Sequence, residues 1–89
     1  MPLNKLMQTT VAQTKVIKLN ELAAGQSARV VSVGGTGRVT QRLMEMGVIP
    51  GIGVQVVKTA PFGDPIEVRL RGYSLAMRRT EAEAIEVSY

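Results

Sequence analysis

Cysteine, histidine and tryptophan are absent from these 89 residues, and the first two absences narrow the function at once. Without cysteine there is no disulfide, no thiolate ligand and no thiol nucleophile; a cytoplasmic location fits such a chain. Without histidine, the commonest transition-metal ligand and the usual general base near neutral pH are both missing. Only Phe62, Tyr73 and Tyr89 are aromatic, too few to build a stacking platform for bases. No stretch approaches the roughly 18 uninterrupted apolar residues of a membrane helix, and Met1 to Gln13 lacks the apolar middle region of a secretory signal. Acidic charge is scarce too: 7 Asp and Glu against 11 Lys and Arg leave a net charge of +4.

What is present suits one soluble domain. Apolar residues make up 45% of the chain and charged residues 20%, an ordinary globular balance. Residues 1–15 are polar and read as a flexible N-terminal leader, leaving 16–89 as the domain. Leu19 to Gly25 reads as one helical turn, with Asn20 as N-cap and Gly25 as the stop. Ala28 to Val33 is a first strand closed by Gly34-Gly35. Those two glycines, with Thr36 and Gly37, make an ordinary turn before a helix of about ten residues that Thr36 caps; no Gly-Lys-Ser/Thr follows, so they are not a P-loop. Within the helix Val39, Leu43 and Met46 form one stripe at i, i+4 and i+7. Met44 lies well off that stripe and belongs in water, while Arg38, Arg42 and Glu45 share a neighbouring face.

After Gly47, Pro50-Gly51 turns the chain into a second strand, Ile52, Val54 and Val56. Lys58 then falls on the apolar parity, which calls for a bulge near Val56-Val57 or a lysine reaching out at a rim. Two prolines, a glycine and an aspartate from Pro61 to Pro65 specify a hairpin loop. Ile66 to Leu70 and Leu75 to Arg78 alternate as an antiparallel pair. A four-residue loop from Arg71 to Ser74 sets Leu70 against Leu75, Val68 against Met77 and Glu67 against Arg78. Thr80-x-x-Glu83 has the form of a capping box, and Ile85 to Val87 is the last strand. The sum is mainly β: a small five-stranded antiparallel barrel with one inserted α-helix and short helical turns.

The carboxylates are scattered, so no metal ligand set, no cofactor site and no catalytic pair emerges from the spacing. Arg69, Arg71, Arg78 and Arg79, with Lys58, form a cationic patch that a small basic nucleic-acid-binding or transcription-regulator-like barrel would use. That is the alternative reading; the missing aromatics and the interleaved Glu67 and Glu86 weigh against nucleic acid.

Four segments carry a resemblance. Leu19-x-x-Leu22-x-x-Gly25, then Arg42-Leu43-x-x-Met46-Gly47-x-x-Pro50-Gly51, then Ala60-Pro61-x-Gly63-Asp64-Pro65-Ile66, and finally Gly72-x-x-Leu75-Ala76-Met77-Arg78 with Ala84-Ile85-x-Val87, resemble the FeoA family in order and spacing. The resemblance covers about residues 17 to 89. It implies an SH3-like barrel and a cytoplasmic, non-enzymatic accessory to bacterial ferrous iron uptake. Its implied partner is FeoB, the membrane iron transporter with a cytosolic G-protein domain, through which the protein would be peripheral to the membrane. The resemblance leaves self-association open and implies a metal-related family with transition metal ion binding, but with no ligand set in this chain the iron is read as belonging to the partner. The expected partner-binding surface is the outer side of the helix, Arg38, Arg42, Met44 and Glu45, continuing into Val48 and Ile49. Phe62 at the hairpin tip is a second anchor. An apolar centre inside a charged rim is the usual layout of a small interface.

Overall fold

The computed structural model describes residues 15–35 and 37–89. The leader up to residue 14 and the Thr36 cap therefore lie outside the described residues. Six strands form one antiparallel sheet in the order β1-β6-β2-β3-β4-β5: β1 Val16–Lys18, β2 Ser27–Val33, β3 Gly53–Thr59, β4 Ile66–Leu70, β5 Tyr73–Met77 and β6 Ile85–Ser88. Two helices interrupt them, α1 Gly37–Glu45 after β2 and the single turn α2 Arg79–Ala82 after β5. The inward residues of β2 to β6, among them Val30, Val54, Val68, Met77 and Val87, join one buried cluster with Leu43 of α1. One sheet whose inner face meets itself around a single core is a small barrel.

The extra strand relative to the five expected is β1. It is three residues long, and Val16, Ile17 and Lys18 pair with Ser88, Val87 and Glu86. The pairing continues one step beyond the strand, since Lys15 and Tyr89 exchange both backbone hydrogen bonds. Only half-buried Ile17 faces inward, and two apolar residues, Val16 and Ile17, between two lysines give no periodic signal to read.

The bulge expected in β3 is present. Val56 pairs with Val68, but Lys58 pairs with Glu67, so Val57 is the extra residue and the lysine is moved to the outer parity. The β4–β5 hairpin corrects the expected register. Leu70 pairs with Tyr73, Val68 with Leu75 and Ile66 with Met77, so the loop is two residues, Arg71-Gly72. Both have positive φ, 45° and 92°, the type I′ turn whose twist matches the strands it joins. Glu67 consequently faces Ala76 rather than Arg78. The slip is two residues, so inward and outward parity survive it.

Both short turns are capped two residues earlier than the sequence suggested. The 3-10 turn spans Leu19–Glu21, and Glu21 Oε1 accepts the Lys18 N–H at 2.8 Å. Asn20 lies inside the turn, its Oδ1 buried without a partner among the described residues, because burying Leu19 completely draws the turn forward. At α2, Glu81 Oε1 accepts the Arg78 N–H at 2.8 Å. This is the reaching-back half of a capping box, made by Glu81 and Arg78 instead of Glu83 and Thr80.

Candidate functional site

Helix α1 ends in a Schellman motif. Gly47, with φ of 101°, donates to the Met44 carbonyl at 3.0 Å, and Val48 donates to the Leu43 carbonyl at 3.0 Å. That pattern requires a residue tolerant of the left-handed region at Gly47 and favours apolar contact between the two outer partners. Leu43 and Val48 are accordingly both fully buried. Val48, expected on the partner-binding surface, belongs to the core instead: the geometry that stops the helix folds this side chain under it.

The rest of the outer helix side does face water. Met44 is 42% exposed and Ile49 38%; Arg38, Arg42 and Glu45 are exposed as well. Each has an evident local reason. Met44 follows Leu43, so a rotation of about 100° takes it away from the core. Ile49 comes after the Schellman turn, in the Pro50-Gly51 loop whose Gly51 N–H donates to the Val30 carbonyl at 2.8 Å, and that bond holds the loop against β2.

Two side-chain contacts pin α1 on the barrel. Arg42 Nη1 lies 3.3 Å from Glu81 Oε2, joining α1 to α2 through a carboxylate that already caps α2. The Tyr73 hydroxyl donates to the Met46 carbonyl, joining the end of α1 to the start of β5. The strip carrying Met44 is thus a fixed face. Its free edge borders a shallow apolar groove lined by Val33, Gly34, Gly35, Thr40, Met44 and Glu45. Thr40 Oγ1 donates to the Gly34 carbonyl at 2.7 Å and so ties the glycine turn to the helix. Sequence reasoning missed this groove, because Gly34 and Gly35 read as punctuation; the available signal was a pair of side-chain-free residues directly ahead of an amphipathic helix.

Phe62 stands apart. It is 98% exposed in the loop between β3 and β4, with φ of 70°. Ile49 precedes β3 and Phe62 follows it, so the seven residues of β3, about 20 Å of strand, separate the two. The structure does not bring Phe62 into the helix strip.

The expected cationic patch divides. Arg69 and Arg71 lie at the β4–β5 turn, whereas Arg78 and Arg79 follow the far end of β5. Arg79 is partly offset by Glu83 at 3.8 Å, both well exposed, and its N–H is taken by Asp64 Oδ1 at 3.0 Å. Among the described residues no three His, Cys, Asp or Glu side chains are grouped as metal ligands, and no helix is long and apolar enough to cross a membrane.

Residues 17–89 match the FeoA domain family. Among curated proteins, the chain is 39% identical over 71 residues to the Fe(2+) transport protein A/Fe(2+) transporter FeoB fusion protein of Porphyromonas gingivalis; the match takes in 80% of this chain and 8% of that fusion. The chain therefore spans a small part of that relative's length. Among solved structures, it resembles the FeoA protein from Chlorobium tepidum in solution, with 49% identity, a TM-score of 0.75 and coverage of 80% of this chain and 68% of that one. It also resembles Stenotrophomonas maltophilia FeoA complexed with zinc, described as a prokaryotic SH3 domain protein, with 32% identity, a TM-score of 0.72 and coverage of 80% and 88%.

Proposed function

We propose, because this chain belongs to the FeoA domain family, that it is a non-enzymatic accessory protein of ferrous iron uptake, docking in the cytoplasm on the G-protein domain of a FeoB-type transporter. One observation carries the reading. In the Porphyromonas gingivalis relative, transport protein A and the FeoB transporter are a single chain. A covalent link holds two modules at high effective concentration. Modules kept at such proximity meet through a surface, linked or not.

The strip centred on Met44 and Ile49 is the surface best suited to that task. Its apolar centre is exposed in the monomer, and Arg38, Arg42 and Glu45 supply a rim of mixed charge. Met44 and Ile49 are already more than half covered, so burying the remainder stabilises a complex by about 0.6–1.2 kcal/mol each before ordering costs. Because the Tyr73 hydroxyl holds the end of α1 on the barrel, little backbone entropy is lost on docking. In this reading iron is the transporter's cargo.

Titration calorimetry of the protein against the G domain of its transporter, with and without guanine nucleotide, tests the reading. Binding to at least one nucleotide state is expected, with the heat lost in Met44→Glu. Absence of binding in every state removes the docking role, and equal heats for wild type and Met44→Glu remove the helix strip as its site.

A further inference from the structure

The outer face of the barrel carries a feature that the docking surface does not use. Neighbours along the ladders share a face, so two rows can be read from the pairing. One runs Val16, Ser88, Arg29, Gly53. The adjoining one runs Ser27, Gln55, Arg69, Ser74. Around the centre of these rows lies a shallow concavity whose lining includes Ser27, Arg29, Gly53, Gln55, Arg69 and Ser88, and no carboxylate.

Gly53 makes the concavity. Unlike the turn glycines it has ordinary extended backbone, so no conformational demand explains a glycine at the head of β3. Nothing lies within 4 Å of where its Cβ would stand, so no packing demand explains it either. Glycine in a strand weakens it and marks a place where something else approaches closely. Here the open space is flanked by two arginines set two strands and one row apart, about 12 Å on the diagonal. Arg29 is held in place, with Nη1 donating to the Gly51 carbonyl at 2.6 Å, and its other N–H groups remain available. Among the described residues neither Arg29 nor Arg69 has a carboxylate at ion-pair distance. Serine hydroxyls and the Gln55 amide supply further donors on the same floor.

We propose that this concavity binds a phosphate group, seated over Gly53 and gripped from the two sides by the guanidinium groups of Arg29 and Arg69. Guanidinium presents paired N–H donors that match phosphate oxygens, and two of them converging on one phosphate give a strong form of that recognition. The open side accommodates either a free phosphate ion or a phosphate carried on an anionic lipid headgroup.

The test uses the full-length protein labelled with 15N and titrated, at physiological ionic strength, first with inorganic phosphate and then with phosphatidylcholine vesicles with and without phosphatidylglycerol. Amide shifts or broadening confined to Ser27, Arg29, Gly53, Gln55, Arg69 and Ser88 are expected. Response to the ion identifies free phosphate as the source, and response only to the phosphatidylglycerol vesicles identifies a headgroup. Gly53→Val leaves net charge unchanged and fills the space with a side chain that suits a strand; it is expected to weaken binding at least about tenfold. Arg69→Gln, at an exposed position, gives the same loss without touching β3 and serves if Gly53→Val folds poorly. Binding that survives both variants, shifts centred instead on Lys58, Arg78 and Arg79, or no response to either ligand would overturn the proposal.

Discussion

Gly47 sits where the end of α1, the start of β5 and the core meet. Its φ of 101° is one that L side chains rarely adopt, and a Cβ there would run into the hydroxyl oxygen of Tyr73, the group that donates to the Met46 carbonyl. Gly25 has a similar φ of 90° but nothing within 4 Å of a built Cβ. The two positions therefore separate backbone strain from steric exclusion. Gly25→Ala should cost about 1 kcal/mol, the strain alone, and Gly47→Ala roughly 2–4 kcal/mol, since it also displaces Tyr73. Urea unfolding of both variants checks the order, and equal costs would show that the Tyr73 contact contributes nothing. Arg71 is the reverse case. It occupies the first central position of a type I′ turn at φ 45°, where asparagine is favoured. Arg71→Asn should raise stability by about 0.5–1 kcal/mol, visible as a higher thermal midpoint with an unchanged spectrum.

Among the elements, α2 shows how much one side chain can organise. Glu81 caps the turn with Oε1 and meets Arg42 with Oε2. Arg42 is largely exposed, so the ion pair is screened and worth little, whereas the cap satisfies a backbone donor at the helix start. Glu81→Ala should cost about 1–2 kcal/mol, and Glu81→Gln, which keeps an oxygen for the Arg78 N–H, less than about 0.5 kcal/mol. A double-mutant cycle with Arg42→Ala measures the remainder. The same element marks the limit of sequence reading. A Glu three residues after an N-cap was visible, but the register was not, because Thr80 and Glu83 satisfy the pattern as well as Arg78 and Glu81 where arginine is not a usual cap residue. Strands β3 and β4 were legible from period-2 alternation, β2 from its valine-rich run ahead of Gly34-Gly35 and β6 from Ile85 and Val87, while the misplaced parity of Lys58 left a bulge or a rim lysine as alternatives. The β4–β5 turn was not, since Arg71 is an unusual occupant of its position. In the candidate site Met44 was legible by helical rotation. Val48 was not, because the Schellman motif that buries it depends on which way the chain leaves Gly47.

At the scale of the whole molecule, the proposed docking strip and the core draw on adjacent residues of the same helix. A chain this short has a single core, and the stability of such a domain is of the order of 5–10 kcal/mol. Leu43, fully buried, is the residue through which α1 closes that core. Leu43→Ala should cost about 2–5 kcal/mol, a large part of the total, and any loss of transporter binding should then follow the unfolded fraction and be restored by a stabilising osmolyte. Met44 is 42% exposed and its side chain makes no hydrogen bond among the described residues, so Met44→Glu should leave stability within about 0.5 kcal/mol. If the strip is the docking surface, that substitution places a charge in the apolar centre of the complex and weakens binding by a factor of ten or more, with no rescue by osmolyte. Calorimetric titration and thermal melts on both variants distinguish the two mechanisms. Rescue of Met44→Glu by osmolyte, or a melting shift as large as that of Leu43→Ala, would mean that the helix acts only as a plug for the barrel and that the partner is met elsewhere.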